Sequence, residues 1–213
     1  MLTFEIKHQE QYSRGELLLR SFFGFIYIAL PHAFLLMFVG IASQVLAFLA
    51  FWVILFTGRY PQSWFEFQVK VQRWSLRVNS RLYNLADGYP AFGLNATDDN
   101  VTFDVAFPEN ISRGSVLLRG LFGWIYVLIP HGIILWFLTI AFMFVNFFGW
   151  WAVLFTGKYP KGMFDFQVEY LRWNARVGLY LSYITQDYPP FSGKRDEVPA
   201  AAPTASAGEN TDA

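Results

Sequence analysis

The stretch FFGFIYIALPHAFLLMFVGIASQVLAFLAFWVILF, Phe22–Phe56, contains no Asp, Glu, Lys or Arg in 35 residues. A second stretch, Gly120–Gly157, is equally free of charge. One membrane-spanning helix needs about 20 apolar residues. Thirty-five residues are too many for one span at ordinary tilt. The expectation is therefore two helices closed by a short turn, near Gly15–Val39 and Gln44–Gly58, and in the second stretch near Gly114–Leu138 and Met143–Gly157. The turns fall at Gly40, Ser43 and Gln44, and at Thr139 and Asn146, the only polar or flexible punctuation available. The later helix of each pair is short, so a re-entrant hairpin stands beside the spanning one. Ser13 and Ser112 are placed to cap the first helices. Pro31, inside a predicted helix, removes a backbone donor and predicts a kink.

The two stretches belong to a repeat. A shift of 99 residues aligns Phe4–Phe92 with Phe103–Phe191 without a gap, at 38 identities in 89 positions. Ser13–Gly15 recurs at Ser112–Gly114, Pro31-His32 at Pro130-His131, and Phe56–Pro61 at Phe155–Pro160. Gln68, Arg73, Trp74 and Arg77 recur as Gln167, Arg172, Trp173 and Arg176. Tyr89, Pro90 and Phe92 recur as Tyr188, Pro189 and Phe191. Copies this similar share a fold. The predicted organisation is a first repeat over 1–92, a linker over 93–102, a second repeat over 103–191 and a tail over 192–213. The tail is rich in Ala, Pro, Ser and Thr and is expected to be disordered.

This order of motifs resembles the 4389 family of domains of unknown function, bacterial membrane domains found singly or in tandem. The resemblance covers nearly the whole chain twice. It implies a membrane domain and brings no catalytic residues with it.

After each Tyr-Pro comes an amphipathic helix of about 23 residues. In the first copy Trp64, Phe67, Val71, Trp74, Val78, Leu82 and Leu85 recur at spacings of three and four, against a charged row of Glu66, Lys70, Arg73, Arg77 and Arg81. A second apolar stripe, Phe65, Val69, Leu76 and Tyr83, lies across from the first. Two apolar faces predict a helix wedged between surfaces; it is expected at the membrane interface, the alternative being a helix packed on its own domain with a solvated charged face. Short alternating pieces, Phe4–Ile6 and Phe103–Val105, read as strands that pair with each other or with the Tyr89–Phe92 segment. The fold class expected is an all-α membrane protein: two tandem repeats, each a transmembrane helical hairpin followed by an amphipathic interfacial helix, with short β-like segments before the hairpins.

Composition narrows function. Hydrophobic residues make up 54% and aromatics 20%, formal net charge is zero, and there is no Cys. Disulfides, thiolate metal sites and a Cys nucleophile are excluded, and the absence of basic excess argues against nucleic acid as a partner. No nucleophile–base pair stands out, so no catalytic residues and no metal ligands are assigned. Basic residues flank the apolar stretches and are missing from the expected turns. By the positive-inside rule both termini face the cytoplasm of a bacterial inner membrane, in a multi-pass arrangement. An even number of crossings per copy then sets the pseudo-twofold axis along the membrane normal.

Two sets of residues are singled out. His32 and His131, duplicated within apolar spans, are candidates for cofactor binding or a proton relay; meeting across the pseudo-twofold, they would suit a haem or a chlorophyll-type magnesium. The structural alternative is a neutral His donating to a carbonyl freed by the Pro kink. Arg14, Arg20, Arg73, Arg77, Arg113, Arg119, Arg172 and Arg176 are candidates for lipid headgroup contacts, with snorkelling or solvated faces as the alternative. The function expected is a non-enzymatic scaffold or accessory subunit that touches lipid and a partner membrane protein or another copy. The alternative is a small transporter, channel or haem/pigment carrier centred on the two histidines.

Overall fold

The computed structural model describes residues 1–196. The order is β1 (Leu2–Ile6), α1 (Arg14–Gly24), α2 (Leu30–Thr57), α3 (Gln62–Leu82), β2 (Val101–Val105), α4 (Arg113–Gly123), α5 (Ile129–Thr156) and α6 (Lys161–Leu181). The repeat is therefore a strand, a long helix and a shorter helix, present twice.

The expected hairpins are absent. α1 and α2 join through a π-helical turn, Phe25–Ala29, into one uninterrupted helix, Arg14–Thr57, of 44 residues. The second copy does the same over Arg113–Thr156. Gly40, Ser43 and Gln44 lie inside helix, as do Thr139 and Asn146. The polar ones among them were read as turns, yet Ser43 and Thr139 point inward: Ser43 bonds to Gln68, and the Thr139 hydroxyl lies 2.7 Å from that of Tyr170. Both long helices are long and apolar enough to cross a membrane.

At Pro31, where a kink is expected, the helix shows a π turn. The Leu30 N–H reaches back five residues to the Phe25 carbonyl, widening the turn just ahead of the proline that has no N–H to offer. Ile129 and Trp124 repeat this before Pro130. Ser13 and Ser112 cap the helix starts, accepting from the N–H groups of Glu16 and Ser115. Gly58 and Gly157 end the helices at φ +73° and +72°, a left-handed conformation that favours glycine.

Each long helix buries one face and exposes the other. Leu17, Arg20, Gly24, Ile28, His32, Ala50 and Ile54 form the buried stripe. Phe22, Phe25, Phe34, Phe38, Phe48 and Phe56 stand exposed on the other side. The second copy exposes Phe122, Trp124, Trp136, Met143, Phe147 and Phe155. Exposed apolar residues thus recur along the length of both long helices.

The two long helices run antiparallel, the start of each at the end of the other. The Tyr12 N–H donates to Gly157 O at 2.8 Å, and the Ile111 N–H to Gly58 O at 2.9 Å. α3 and α6 pack on the long helices of their own repeats and carry the sheet. The strands pair with each other, antiparallel, in the register Leu2↔Val105 to Ile6↔Val101. Their inward residues, Leu2, Phe4, Ile6, Val101, Phe103 and Val105, join the core.

α3 is wedged, as its two stripes predict. Trp74 and Val78 pack with Ile28, while Phe65, Val69 and Leu76 enter the central core with the sheet. It is thus an internal layer rather than a helix resting on a bilayer. The tail departs from expectation as well. Its first residues are docked: Arg176 bonds to the carbonyls of Ser192 and Lys194, and the Leu2 N–H donates to Asp196. The rest of the tail lies outside the described residues.

Candidate functional site

The motifs shared by both repeats converge on the histidines. His32 is fully buried, and Trp74 Nε1 donates to its Nδ1 at 2.8 Å. Phe92 and Tyr89 close over the ring, with centroids at 4.3 and 5.3 Å. His131 is enclosed by the equivalent residues. Trp173 Nε1 donates to Nδ1 at 2.9 Å, Phe191 stacks at 4.1 Å and Tyr188 lies at 5.3 Å. Pro-His, Arg-Trp and Tyr-Pro-x-Phe, scattered along the sequence, are thus parts of one aromatic cage.

An Nδ1 that accepts a hydrogen bond carries no proton, so the neutral ring bears its proton on Nε2. Neither Nε2 has a partner among the described residues. A buried donor left unpaired costs about 1–3 kcal/mol. The freed-carbonyl reading is replaced: the histidine accepts from a tryptophan at Nδ1 and donates to nothing visible at Nε2. Nor does the structure bring the two imidazoles together, for each is walled in by aromatics of its own repeat.

The cage has its own clamp. Arg77, buried, donates to the carbonyls of Gly93 and Ala96, tying down the loop that follows Phe92. Arg176 holds Ser192 O at 2.8 Å and Lys194 O at 2.6 Å, the equivalent loop. Arg81 and Asp98 add a buried ion pair at 2.8 Å in the first copy.

The candidate lipid-binding arginines divide into two groups. Arg20 donates to Asn84 and pairs with Asp87 at 3.0 Å. Arg119 reaches the carbonyls of Tyr180 and Thr185 and lies over the Tyr180 ring at 4.5 Å. Arg172 donates to Phe4 O through two nitrogens, at 3.1 and 2.8 Å. With Arg77 and Arg176, these five are buried and bonded within the chain. Burial lowers the pKa of Arg77 and Arg172 from the ordinary arginine value. Arg14 and Arg113 are exposed at the starts of the long helices, and Arg73 is partly exposed beside Asp104. Spacing alone could not separate the two groups, because the carbonyls that bind the buried guanidiniums belong to loops and strands distant in sequence.

The family described as Domain of unknown function (DUF4389) matches residues 18–93 and 113–193. The chain belongs to this family. It carries two tandem copies of the domain, and the cage residues of both, His32 to Phe92 and His131 to Phe191, fall inside the matched segments. No curated protein and no solved structure matches the chain.

Proposed function

We propose that this tandem DUF4389 protein is a non-enzymatic scaffold or accessory subunit of the bacterial inner membrane, with both termini in the cytoplasm. One observation carries the reading. The buried guanidiniums and the cage indoles common to both repeats are engaged inside the chain, whereas the surface common to both repeats is apolar and exposed. Buried arginines hold loops, and each cage tryptophan is bonded to its histidine. What remains for partners is the outer face of the two long helices and the exposed Arg113 and Arg14 at their starts, Arg14 lending one nitrogen to Phe155 O at 2.9 Å. Lipid and another membrane protein, or a second copy, suit that face. The test is gentle extraction from native membranes, crosslinking and native mass spectrometry. A partner in fixed ratio, or a defined oligomer, is expected; neither partner nor self-association would sink the reading.

The unpaired Nε2 atoms favour a second reading, a transporter or cofactor carrier centred on His32 and His131. A haem or pigment would have to displace Phe92 and Phe191, whose rings lie at 4.3 and 4.1 Å. The donors therefore suit a small hydrogen-bond acceptor better than a macrocycle. A visible absorption band lost in His32→Gln with His131→Gln would move the cofactor reading to first place.

A further inference from the structure

We infer that the two long helices lie in the plane of the membrane, immersed in one leaflet, and do not cross it; this rests on the membrane reading above. Three observations converge. The first is symmetry. Phe4 and Phe103 occupy equivalent positions in the repeat and pair with each other at the centre of the sheet. The pseudo-twofold axis therefore passes between them, perpendicular to the strands. The long helices are antiparallel, so the same axis crosses them at right angles midway along their lengths.

A spanning orientation lays that axis in the bilayer plane and puts the sheet at the depth of the bilayer centre. The sheet's outer face carries Glu5 and Asp104, with side chains 50 and 66% exposed, and Arg73 of α3, 38% exposed, pairs with Asp104 beside it. Charged groups at that depth are strongly disfavoured. With the axis along the normal, the layers instead sort by polarity. The sheet meets water, α3 and α6 form the middle, and the exposed aromatic stripes meet acyl chains.

The second observation is length. Thirty-five uncharged residues in helix measure about 52 Å. Fitting them into a core of about 30 Å requires a tilt of roughly 55°, beyond the range of spanning helices. In the plane, length imposes no mismatch.

The third is charge. Arg14 and Lys158 flank one end of the helix pair, and Arg113 and Arg59 the other. The two ends are equally basic, so the positive-inside rule gives neither a reason to cross. All four suit headgroup phosphates at a single level. Amphipathic helices in an interface bury their apolar face by about 5–10 Å.

The chain has no Cys, so single cysteines report cleanly. Spin labels on Phe25→Cys, Phe38→Cys and Phe48→Cys, all exposed, would be read for depth in phosphatidylethanolamine–phosphatidylglycerol vesicles by oxygen against nickel-chelate accessibility. Gln11→Cys and Arg59→Cys, at opposite ends of the first long helix, would be tested in spheroplasts with a membrane-impermeant maleimide. The expected result is one shallow depth for all three labels, and both end cysteines accessible from the cytoplasmic side only. A depth that peaks at Phe38→Cys, or end cysteines accessible from opposite sides, overturns the inference and leaves membrane association standing. Labels shielded from lipid in a defined oligomer overturn it in favour of a second copy on the outer face. Failure to sediment with membranes overturns both readings.

Discussion

Equivalent positions in the two repeats meet different surroundings, and the differences separate what the fold requires from what it tolerates. In the first repeat Gln68 donates to Ser43 O at 2.7 Å and accepts from the Ser43 hydroxyl. In the second, Phe142 replaces Ser43, and Gln167 is fully buried with neither amide atom bonded. The seams between the long helices differ as well. At one, Trp150 Nε1 donates to Ser21 at 2.7 Å. At the other, the equivalent residues are Phe51 and Gly120, the ring lying where a glycine Cβ would come within 2.5 Å. The histidine cage, by contrast, keeps the same residues, the same indole bond and the same unpaired nitrogen in both copies, although Phe92 is tilted to its imidazole and Phe191 lies parallel. The cage has been held through divergence that altered the packing around it.

The largest effect is expected where equivalent arginines differ in burial. Arg172 is 3% exposed and supplies charged bonds to Phe4 O and Gly193 O. Arg172→Met removes them and strands two buried carbonyls, a loss of about 2–4 kcal/mol. Arg73 makes the matching bond to Phe103 O at 2.6 Å, but its pair with Asp104 is exposed to solvent. Arg73→Met should cost about 1 kcal/mol. Thermal unfolding in detergent measures both. Equal losses would mean that the two sides of the sheet are held alike despite their different exposure.

Next come the seams. Gly120→Ser drives a Cβ into the Phe51 ring and should destabilise by about 1–3 kcal/mol, the usual range for overpacking. Adding Phe51→Trp rebuilds the pair found at Ser21 and Trp150 and should recover much of the loss. A double-mutant cycle with no coupling would show that the two seams are not interchangeable solutions to one contact.

The repeat, the helix caps, the glycine stops, the strand pairing and the wedged amphipathic helix were all legible in the sequence. Each leaves a local signature: a capping serine, a left-handed glycine, a period of two or of three to four. The long helix was not. Both its faces are apolar, so the period separating Ile28 and Ile54 inside from Phe25 and Phe48 outside produces no contrast in hydropathy. Without that contrast, length alone points to two spans, with Gly40, Ser43 and Gln44 as the polar or flexible residues for a turn. At the site, the separate motifs were visible but their convergence was not. Nothing local says that Phe92 closes over His32, or that Arg77 holds the loop beyond it through backbone carbonyls.

A change of sign tests the glutamine pair. Gln68→Leu strands the Ser43 hydroxyl and should cost about 1–2 kcal/mol. Gln167→Leu removes an amide that has no partner, and should leave stability unchanged or raise it by about 1 kcal/mol. In a chain this size that gain raises Tm by about 2–4 °C. Destabilisation by Gln167→Leu would mean that the amide is paired in solution, by water or a neighbouring group.

The smallest effect belongs to the polar seam. Trp150→Phe deletes one hydrogen bond at a partly exposed contact and keeps an aromatic ring over the helix, so about 0.5–1 kcal/mol is expected. Ser21→Gly added to it recreates the pairing of Phe51 with Gly120; the Ser21 hydroxyl also donates to Leu17 O at 2.8 Å and is not stranded by the loss of the indole, so the added cost is that of a glycine inside a helix, about 1 kcal/mol. If Trp150→Phe instead costs as much as Gly120→Ser, the indole bond matters beyond its own strength. Trp150 would then fix the register in which the two long helices meet, and the outer face they form together would depend on one hydrogen bond between the repeats.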